Sequence, residues 1–342
     1  MRKGPGGRRP PLYALSLACL VPFPNGLGLK LGNGKLGHGS DERRHMTREA
    51  GSEEGREGRS EPGLAEAEAL LETAVEAARE AGAYVKGMLG RAKQLETKSS
   101  TVDLVTEVDI ESGRRIVRAL RGRYPDHKLV VEEPAMIDGV DDGTSDISWI
   151  VDPIDGTTSF VHTFPCFSIS IAARRDGPNG SQQLLAAVVY NPALEELFAA
   201  ATGRGATLNG EPVRVTKTPD IAHALLGTGF PYDRGLTLRR QLAILAEIMK
   251  TAHDIRRTGS AAYDLCMVAC GRTDGYWELA MKPWDLSAGT LILREAGGRM
   301  TNLEGQEWVS PEPDVVASNG VLHEELLETV VRGEAAGVER LY

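Results

Sequence analysis

The stretch Trp149-Ile150-Val151-Asp152-Pro153-Ile154-Asp155-Gly156-Thr157-Thr158 decides how this chain is read. Trp149 to Val151 form a short apolar run that reads as a buried strand. Asp152 stands at its end, where Pro153, with no N–H to give, is expected to stop the ladder. Asp155 follows in the turn beyond. Gly156 permits a sharp change of backbone direction, and Thr157 or Thr158 can cap a new helix. Two carboxylates at a strand end, beside unpaired N–H groups of Gly156, Thr157 and Thr158, make a place for hard cations and a phosphate together.

Two more acids extend the pattern. Glu132 ends the run Leu129-Val130-Val131, and Asp285 follows Pro283-Trp284 and opens an apolar helix. Carboxylates at buried strand ends are costly unless paired or bound to metal. Asp285 taken alone reads as a helix N-cap. The four acids taken together read as a cation cage. Oxygen ligands without His or Cys point to Mg²⁺ or Mn²⁺ rather than Zn²⁺. Two such ions can hold the attacking water and the leaving oxygen of an in-line displacement.

Working outward, the whole chain has 342 residues and is 41% hydrophobic, enough for a substantial core. Its formal net charge is −9 and its pI about 5.4. An acidic chain without Lys/Arg clusters argues against nucleic acid as the main partner. It leaves room for a small phosphate ester, because bound metal reverses the local field. The four cysteines, Cys19, Cys166, Cys266 and Cys270, form no C-x-x-C pair and read as free thiols of a reducing compartment. No apolar run reaches the roughly 18 residues of a membrane span, so no membrane partner is expected.

Residues 1–62 read as a disordered leader. Residues 1–40 carry Arg2, Lys3, Arg8, Arg9, Lys30 and Lys35 and no acid, with an apolar run from Leu12 to Phe23. A targeting peptide and a plain extension both fit. Ser40 to Pro62 has linker composition. The expected compartment is the cytoplasm or a plastid. The folded part, 63–342, begins with helices over Leu64–Tyr84 and Ile110–Arg123 and a strand over Leu129–Glu132. Strands over Phe167–Ala173, Leu184–Tyr190, Glu196–Ala201 and Gly205–Leu208 follow, the last closed by a tight turn at Asn209-Gly210. Helices over Leu236–Lys250, Ala261–Cys270, Leu286–Ala296 and Leu322–Val331 then alternate with strands over Asp254–Arg257, Asp274–Glu278 and Val315–Ala317. This order implies stacked layers of sheet and helix, an α/β (α+β) architecture.

These motifs reach a family. Trp149 to Phe164 (WIVDPIDGTTSFVHTF) resembles the first signature of inositol monophosphatases, and Trp284-Asp285-Leu286-Ser287-Ala288-Gly289 with Glu295-Ala296-Gly297-Gly298 resembles the second. Asp103-Leu104-Val105-Thr106 with Asp109, Glu132-Glu133, and Arg257-Thr258-Gly259-Ser260-Ala261-Ala262 match in order and spacing. The resemblance runs from about Leu64 to about Val331. It implies a layered α/β/α/β/α sandwich of the inositol monophosphatase and fructose-1,6-bisphosphatase type. It also implies a homodimer and a Mg²⁺-dependent, Li⁺-sensitive phosphatase of sugar-like phosphate monoesters using two or three ions.

The same resemblance implies residue roles. Glu132, Asp152 and the Ile154 carbonyl would bind one ion, and Asp152, Asp155 and Asp285 a second. Thr157 with Asp109 would orient or deprotonate the nucleophilic water, with Glu132 the rival for that role. Substrate would meet Ile154, Asp155, Gly156, Thr157, Asp285, the stretch Gly259-Ser260-Ala261, and Glu278. Lys98 lies on a loop that reaches the site in the family. His162 reads as structural. Val131 stands where the family usually has Gly, and is harmless if it continues the strand. Myo-inositol 1-phosphate is the expected substrate, with L-galactose 1-phosphate or histidinol phosphate as alternatives. A non-catalytic binding relative is the remote one.

Overall fold

The computed structural model describes residues 61–91, 95–97, 104–140 and 143–339. The leader reading for 1–60 and the expectation for Lys98 fall outside them. Helix α1 (Glu61–Met88) is followed by a ribbon of β1 (Leu95–Thr97) and β2 (Leu104–Thr106), then α2 (Glu107–Arg123). Next come β3 (Lys128–Val131), β4 (Ile147–Asp155), the short α3 (Thr157–Val161), β5 (Ser168–Asp176), β6 (Gln182–Asn191), β7 (Glu196–Ala201), β8 (Ala206–Leu208) and β9 (Glu211–Val213). The remainder alternates β10 (Leu225–Thr228), α4 (Leu236–Ile248), β11 (Asp254–Arg256), α5 (Ala261–Ala269), β12 (Gly275–Glu278), α6 (Pro283–Glu295), β13 (Arg299–Thr301), β14 (Val315–Ser318) and α7 (His323–Glu339).

Strands β3 to β9 form a seven-stranded sheet in chain order, antiparallel except for the parallel pair β3–β4. A second sheet runs β11-β10-β12-β14-β13, parallel across its first three strands and antiparallel thereafter. Period-two side-chain alternation assigns each strand's residues to different cores. Trp149, Val151, Ile169, Ile171 and Val188 pack with α1 and α2. Ile150, Ala172, Ala187, Val189 and Phe198 pack with α5 and α6 on the opposite face. In the second sheet Tyr276 and Val315 face α5 and α6, while Trp277 and Val316 turn to α4 and α7. The layers are therefore α1/α2, seven strands, α5/α6, five strands, α4/α7, the expected α/β/α/β/α sandwich.

The middle helix layer is mostly apolar, as burial between two sheets demands. Every residue of α5 is buried. Close approach of α5 and α6 uses Gly289, where a Cβ would stand 2.6 Å from Leu265 Cδ1 and 2.7 Å from its Cβ.

Several sequence boundaries change. Pro153 does not end its strand: β4 continues to Asp155, whose partner is Ser168, across an irregularity between Asp152 and Asp155. The proline lies at that irregularity, where a missing N–H interrupts least. Helix α2 starts at Glu107, not Ile110, because Thr106 and Asp109 form a reciprocal capping box. Asp285 is not an N-cap but the third residue of α6, which opens at Pro283. The expected linker to Pro62 ends earlier, since α1 begins at Glu61. Strands β1, β2, β9, β10 and β13 went unpredicted; three or four residues are too short to show a period. Asn209 and Gly210, at φ 51° and 87°, turn β8 into β9 as their pairing predicts. Among the described residues no helix is long and apolar enough to cross a membrane.

Candidate active site

Asp152 and Asp155 leave the end of β4, and Asp285 arrives from the first turn of α6 in the next layer. One carboxylate oxygen from each lies within 4.8 Å of the others. Asp152 and Asp155 are buried and Asp285 is half-buried. Each is aimed by backbone. Asp152 Oδ1 accepts from the Ile154 N–H at 2.9 Å, and Asp285 Oδ2 from the Lys282 N–H at 2.8 Å. Asp155 Oδ2 accepts from the Ala262 N–H at 2.8 Å and from Ser260 Oγ at 2.7 Å.

Burial drives the Asp155 carboxyl upward, with Glu132 adding to the shift and the Ser260 and Ala262 hydrogen bonds opposing it. Asp285 is raised well above the usual carboxylate range by burial, then by Asp155 and Glu132. Three crowded acids, of which Asp155 and Asp285 resist ionising, are the signature of a site that needs a compensating cation. The donor set is all oxygen, so it fits a hard divalent ion.

Glu132 comes from the residue after β3, half-buried, its N–H bonded to the Val151 carbonyl at 3.0 Å. Its charge acts on Asp109, Asp155 and Asp285 alike, which places it at the same site, outside the three-carboxylate group. Val131 continues β3 opposite Val151, and the left-handed residue is the following Glu133, at φ 60°. A glycine is therefore not required before Glu132.

Gly156, at φ 91°, turns the chain from β4 into α3. It is the N-cap; neither threonine is. A Cβ there would stand 2.9 Å from the Gly259 carbonyl, so this turn and the 257–260 segment lie back to back. Thr157 Oγ1 donates toward Asp109 Oδ1 at 2.8 Å and the Ile154 carbonyl at 3.1 Å. Asp109 in turn accepts from the Thr106 N–H at 2.9 Å and from the Thr106 hydroxyl. Burial pushes the Asp109 carboxyl up to about 6 despite those bonds.

The polyol-side residues arrive differently. Ser260 Oγ is committed to Asp155 and to Ser168 Oγ at 3.0 Å, so it shapes the metal-side carboxylate instead of pointing freely to substrate. Glu278 ends β12, buried, and accepts from Tyr276 Oη; burial moves it up to about 7. His162 is exposed at the end of α3, with its N–H on Thr158 and Phe160 carbonyls.

Thr106 was matched in the sequence without a role, and three participants escaped the sequence reading: Tyr276, Asp264 and Ser112, the last holding the Pro153 carbonyl at 3.0 Å. Only Asp264 left a signal. It is a single acid inside the apolar run Ala261-Ala262-Tyr263-Asp264-Leu265-Cys266, and it is buried, with burial holding it well above the usual range. The free cysteines Cys166, Cys266 and Cys270 join no metal-ligand cluster among the described residues.

A five-layer sandwich with carboxylates converging between its two sheets defines a class of phosphatases. The profile of the inositol monophosphatase family matches residues 66–335, and the chain belongs to that family. An inositol-1-monophosphatase from Synechocystis is 40% identical over 261 residues, 76% of this chain and 88% of that protein. A Nus factor SuhB from Pasteurella multocida is 40% identical over 262 residues, 76% of this chain and 95% of that protein. The solved IMPase of Thermotoga maritima superposes with a TM-score of 0.70 at 33% identity, over 80% of this chain and all of that one (100%).

Proposed function

We propose that this phosphatase hydrolyses a polyol phosphate monoester, myo-inositol 1-phosphate foremost, with Mg²⁺ as cofactor. The observation that carries the reading is the Asp152–Asp155–Asp285 group, within 4.8 Å, beside the Thr157–Asp109 pair. Glu132, Asp152, the Ile154 carbonyl, Asp155 and Asp285 would hold two or three ions. Such ions would supply charge to the phosphoryl oxygens and lower the pKa of a bound water.

The chain's own residues do the rest. Thr157 donates its proton to Asp109, which leaves the Thr157 oxygen lone pairs to accept from a water molecule. Ionised Asp109 then takes a proton through Thr157 as the water attacks. Thr106 keeps Asp109 in place through two bonds and prevents its rotation away. Phosphoryl transfer asks mainly for position and charge neutralisation, which a rigid cage supplies. Glu278 receives a substrate hydroxyl. The first-turn N–H groups of α3 have no intrahelical partner and serve the phosphate.

The name inositol-1-monophosphatase of the Synechocystis relative supports inositol 1-phosphate. L-galactose 1-phosphate and histidinol phosphate remain the competing substrates. The relatives named Nus factor SuhB carry a name that is not an enzyme's. A role without nucleic acid therefore rests here on the net charge of −9. A homodimer is part of the same proposal, on family resemblance. The test is kcat/KM for the three phosphates with and without Mg²⁺. A clear preference for inositol 1-phosphate that vanishes on chelation is expected; no Mg²⁺-dependent phosphate release from any of them would overturn the reading.

A further inference from the structure

Asp285 reaches the cage at the end of a short connection. Residues 279–282 alone separate Glu278, the last of β12, from Pro283, the first of α6. The β12–β14 ladder stops at the pair Glu278–Val315, so beyond it the sheet no longer fixes the chain. The connection then turns at Ala280, whose φ of 63° is left-handed and strained for a residue with a Cβ. Alanine has no side-chain oxygen to support such an angle, so the turn needs a hold from outside the loop.

That hold comes from Pro313 and Asp314, the two residues before β14. Asp314 Oδ1 accepts from the Ala280 N–H at 2.9 Å, and the Pro313 carbonyl accepts from the Met281 N–H at 2.8 Å. The next residue, Lys282, gives its N–H to Asp285 Oδ2 at 2.8 Å. Three consecutive N–H groups thus lead from Asp314 to the metal-side carboxylate. On the inner side Leu279 is buried with Trp277 and Ile244. Asp314 is itself anchored. Its Oδ2 accepts from Arg240 Nη2 of α4 at 2.8 Å, and Arg240 Nε donates to Glu334 Oε1 of α7 at 2.8 Å. The Arg240 and Asp314 side chains are each only 23% exposed, which spares the pair much of the screening a surface ion pair suffers.

Resting on the reading that Asp285 holds a cation, we propose that Asp314 is a positioning residue for the cage. It keeps Ala280 in its left-handed turn and so sets where the first turn of α6 delivers Asp285. Arg240 fixes the other oxygen of the same carboxylate, so Asp314 cannot rotate away from the loop. The outer helices α4 and α7 thereby act on the metal site through an acid that lies outside the three-carboxylate group. The effect falls on metal affinity, because the group displaced is Asp285, while the Thr157–Asp109 pair stands on other elements.

The experiment titrates Mg²⁺ by calorimetry into the full-chain wild-type, Asp314→Ala, Asp314→Asn and Glu334→Gln proteins, with kcat for myo-inositol 1-phosphate measured at saturating Mg²⁺. Asp314 is half-buried and outside the apolar cores, so alanine is tolerated there. Asp314→Ala removes a hydrogen bond to a charged acceptor and should weaken Mg²⁺ binding about 10-fold. Its kcat at saturating Mg²⁺ should stay within about threefold of wild type, a split that a partly unfolded protein would not give. Asp314→Asn keeps an oxygen for the Ala280 N–H and should recover most of the affinity. Glu334→Gln leaves Asp314 on Arg240 and should bind Mg²⁺ as wild type does. A Kd for Asp314→Ala within about twofold of wild type would overturn the inference and leave the cage standing. So would an Asp314→Asn protein no better than Asp314→Ala. Equal weakening in Glu334→Gln would also overturn it, by assigning the effect to the packing of α4 on α7. Wild-type protein that takes up no Mg²⁺ would overturn the cage reading and the inference with it.

Discussion

At the scale of single residues, the decisive groups are those whose environment contradicts their ordinary chemistry. Asp155 and Asp285 are carboxylates crowded against each other and raised by burial. Asp285→Asn removes one of the repelling charges. In metal-free protein it should raise the urea midpoint by an amount worth roughly 1 kcal/mol, since an unpaired buried charge is destabilising. The same variant should lose Mg²⁺-dependent turnover by at least about 10²-fold, as the loss of one electrostatic contact in a preorganised site does. Turnover within a few-fold of wild type would remove Asp285 from the cage. Thr157 separates relay from packing. Thr157→Val keeps the shape and deletes the hydroxyl, and should lower kcat about 10²- to 10³-fold; Thr157→Ser should recover most of it. A Thr157→Val enzyme within a few-fold of wild type, or Thr157→Ser alone impaired, would take the hydroxyl out of the proton path.

At the scale of elements, α7 is joined to the second sheet through a buried imidazole. His323, the first residue of α7, bonds Thr301 Oγ1 at 3.0 Å and Ser318 Oγ at 2.9 Å, on β13 and β14. Burial, then Arg299, lowers it to about 4. The neutral form is native, so the contribution to stability is full above the unfolded value of 6.5. It is lost as pH falls from there toward 4, because the unfolded chain binds the proton first. At about 1.4 kcal/mol per unit, the loss reaches about 3 kcal/mol at pH 4. Urea titrations at pH 7 and pH 5 should show a steeper decline for wild type than for His323→Gln; identical slopes would contradict this. Gly289→Ala tests the α5–α6 contact. Helix propensity favours Ala by about 1 kcal/mol. The contact with Leu265 should reverse that sign and destabilise by about 1–3 kcal/mol, read as a lower urea midpoint.

For the whole molecule, the site joins separate layers: β4 belongs to the seven-stranded sheet, α6 to the middle helices and β12 to the five-stranded sheet. A cation held between Asp152 and Asp285 would therefore bridge layers that otherwise meet through packing and a few hydrogen bonds, such as Ser170 Oγ to the Trp284 carbonyl at 2.9 Å. Mg²⁺ at about 100 times its Kd should stabilise the fold by about 2.7 kcal/mol through linkage. The rise in Tm should be absent with Na⁺ at equal ionic strength. An equal rise with both would assign the effect to screening of the net charge of −9.

Much of this was legible along the chain. The strand-turn-helix at Trp149 to Thr158, the acids Glu132, Asp152, Asp155 and Asp285, and stacked layers of sheet and helix follow from patterns confined to short windows, where periodicity and turn chemistry act locally; the five-layer order came from the family resemblance. What lay beyond reach depends on distance through space. The window around Thr106 and Asp109 carries their capping box, but not that Asp109 will stand against Thr157, 48 positions away. Nor does the sequence around Ser260 say that its oxygen serves Asp155, 105 positions away. The continuation of β4 past Pro153 likewise depended on Ser168 being available as partner. Residue types alone determined that this chain carries acids suited to a hard cation and apolar periods suited to layered sheets. Tertiary packing decided which of those acids share a cage and which hydroxyls are spent on holding them. Charges and hydrogen bonds act over a few ångström, and only the folded chain sets which groups come that close.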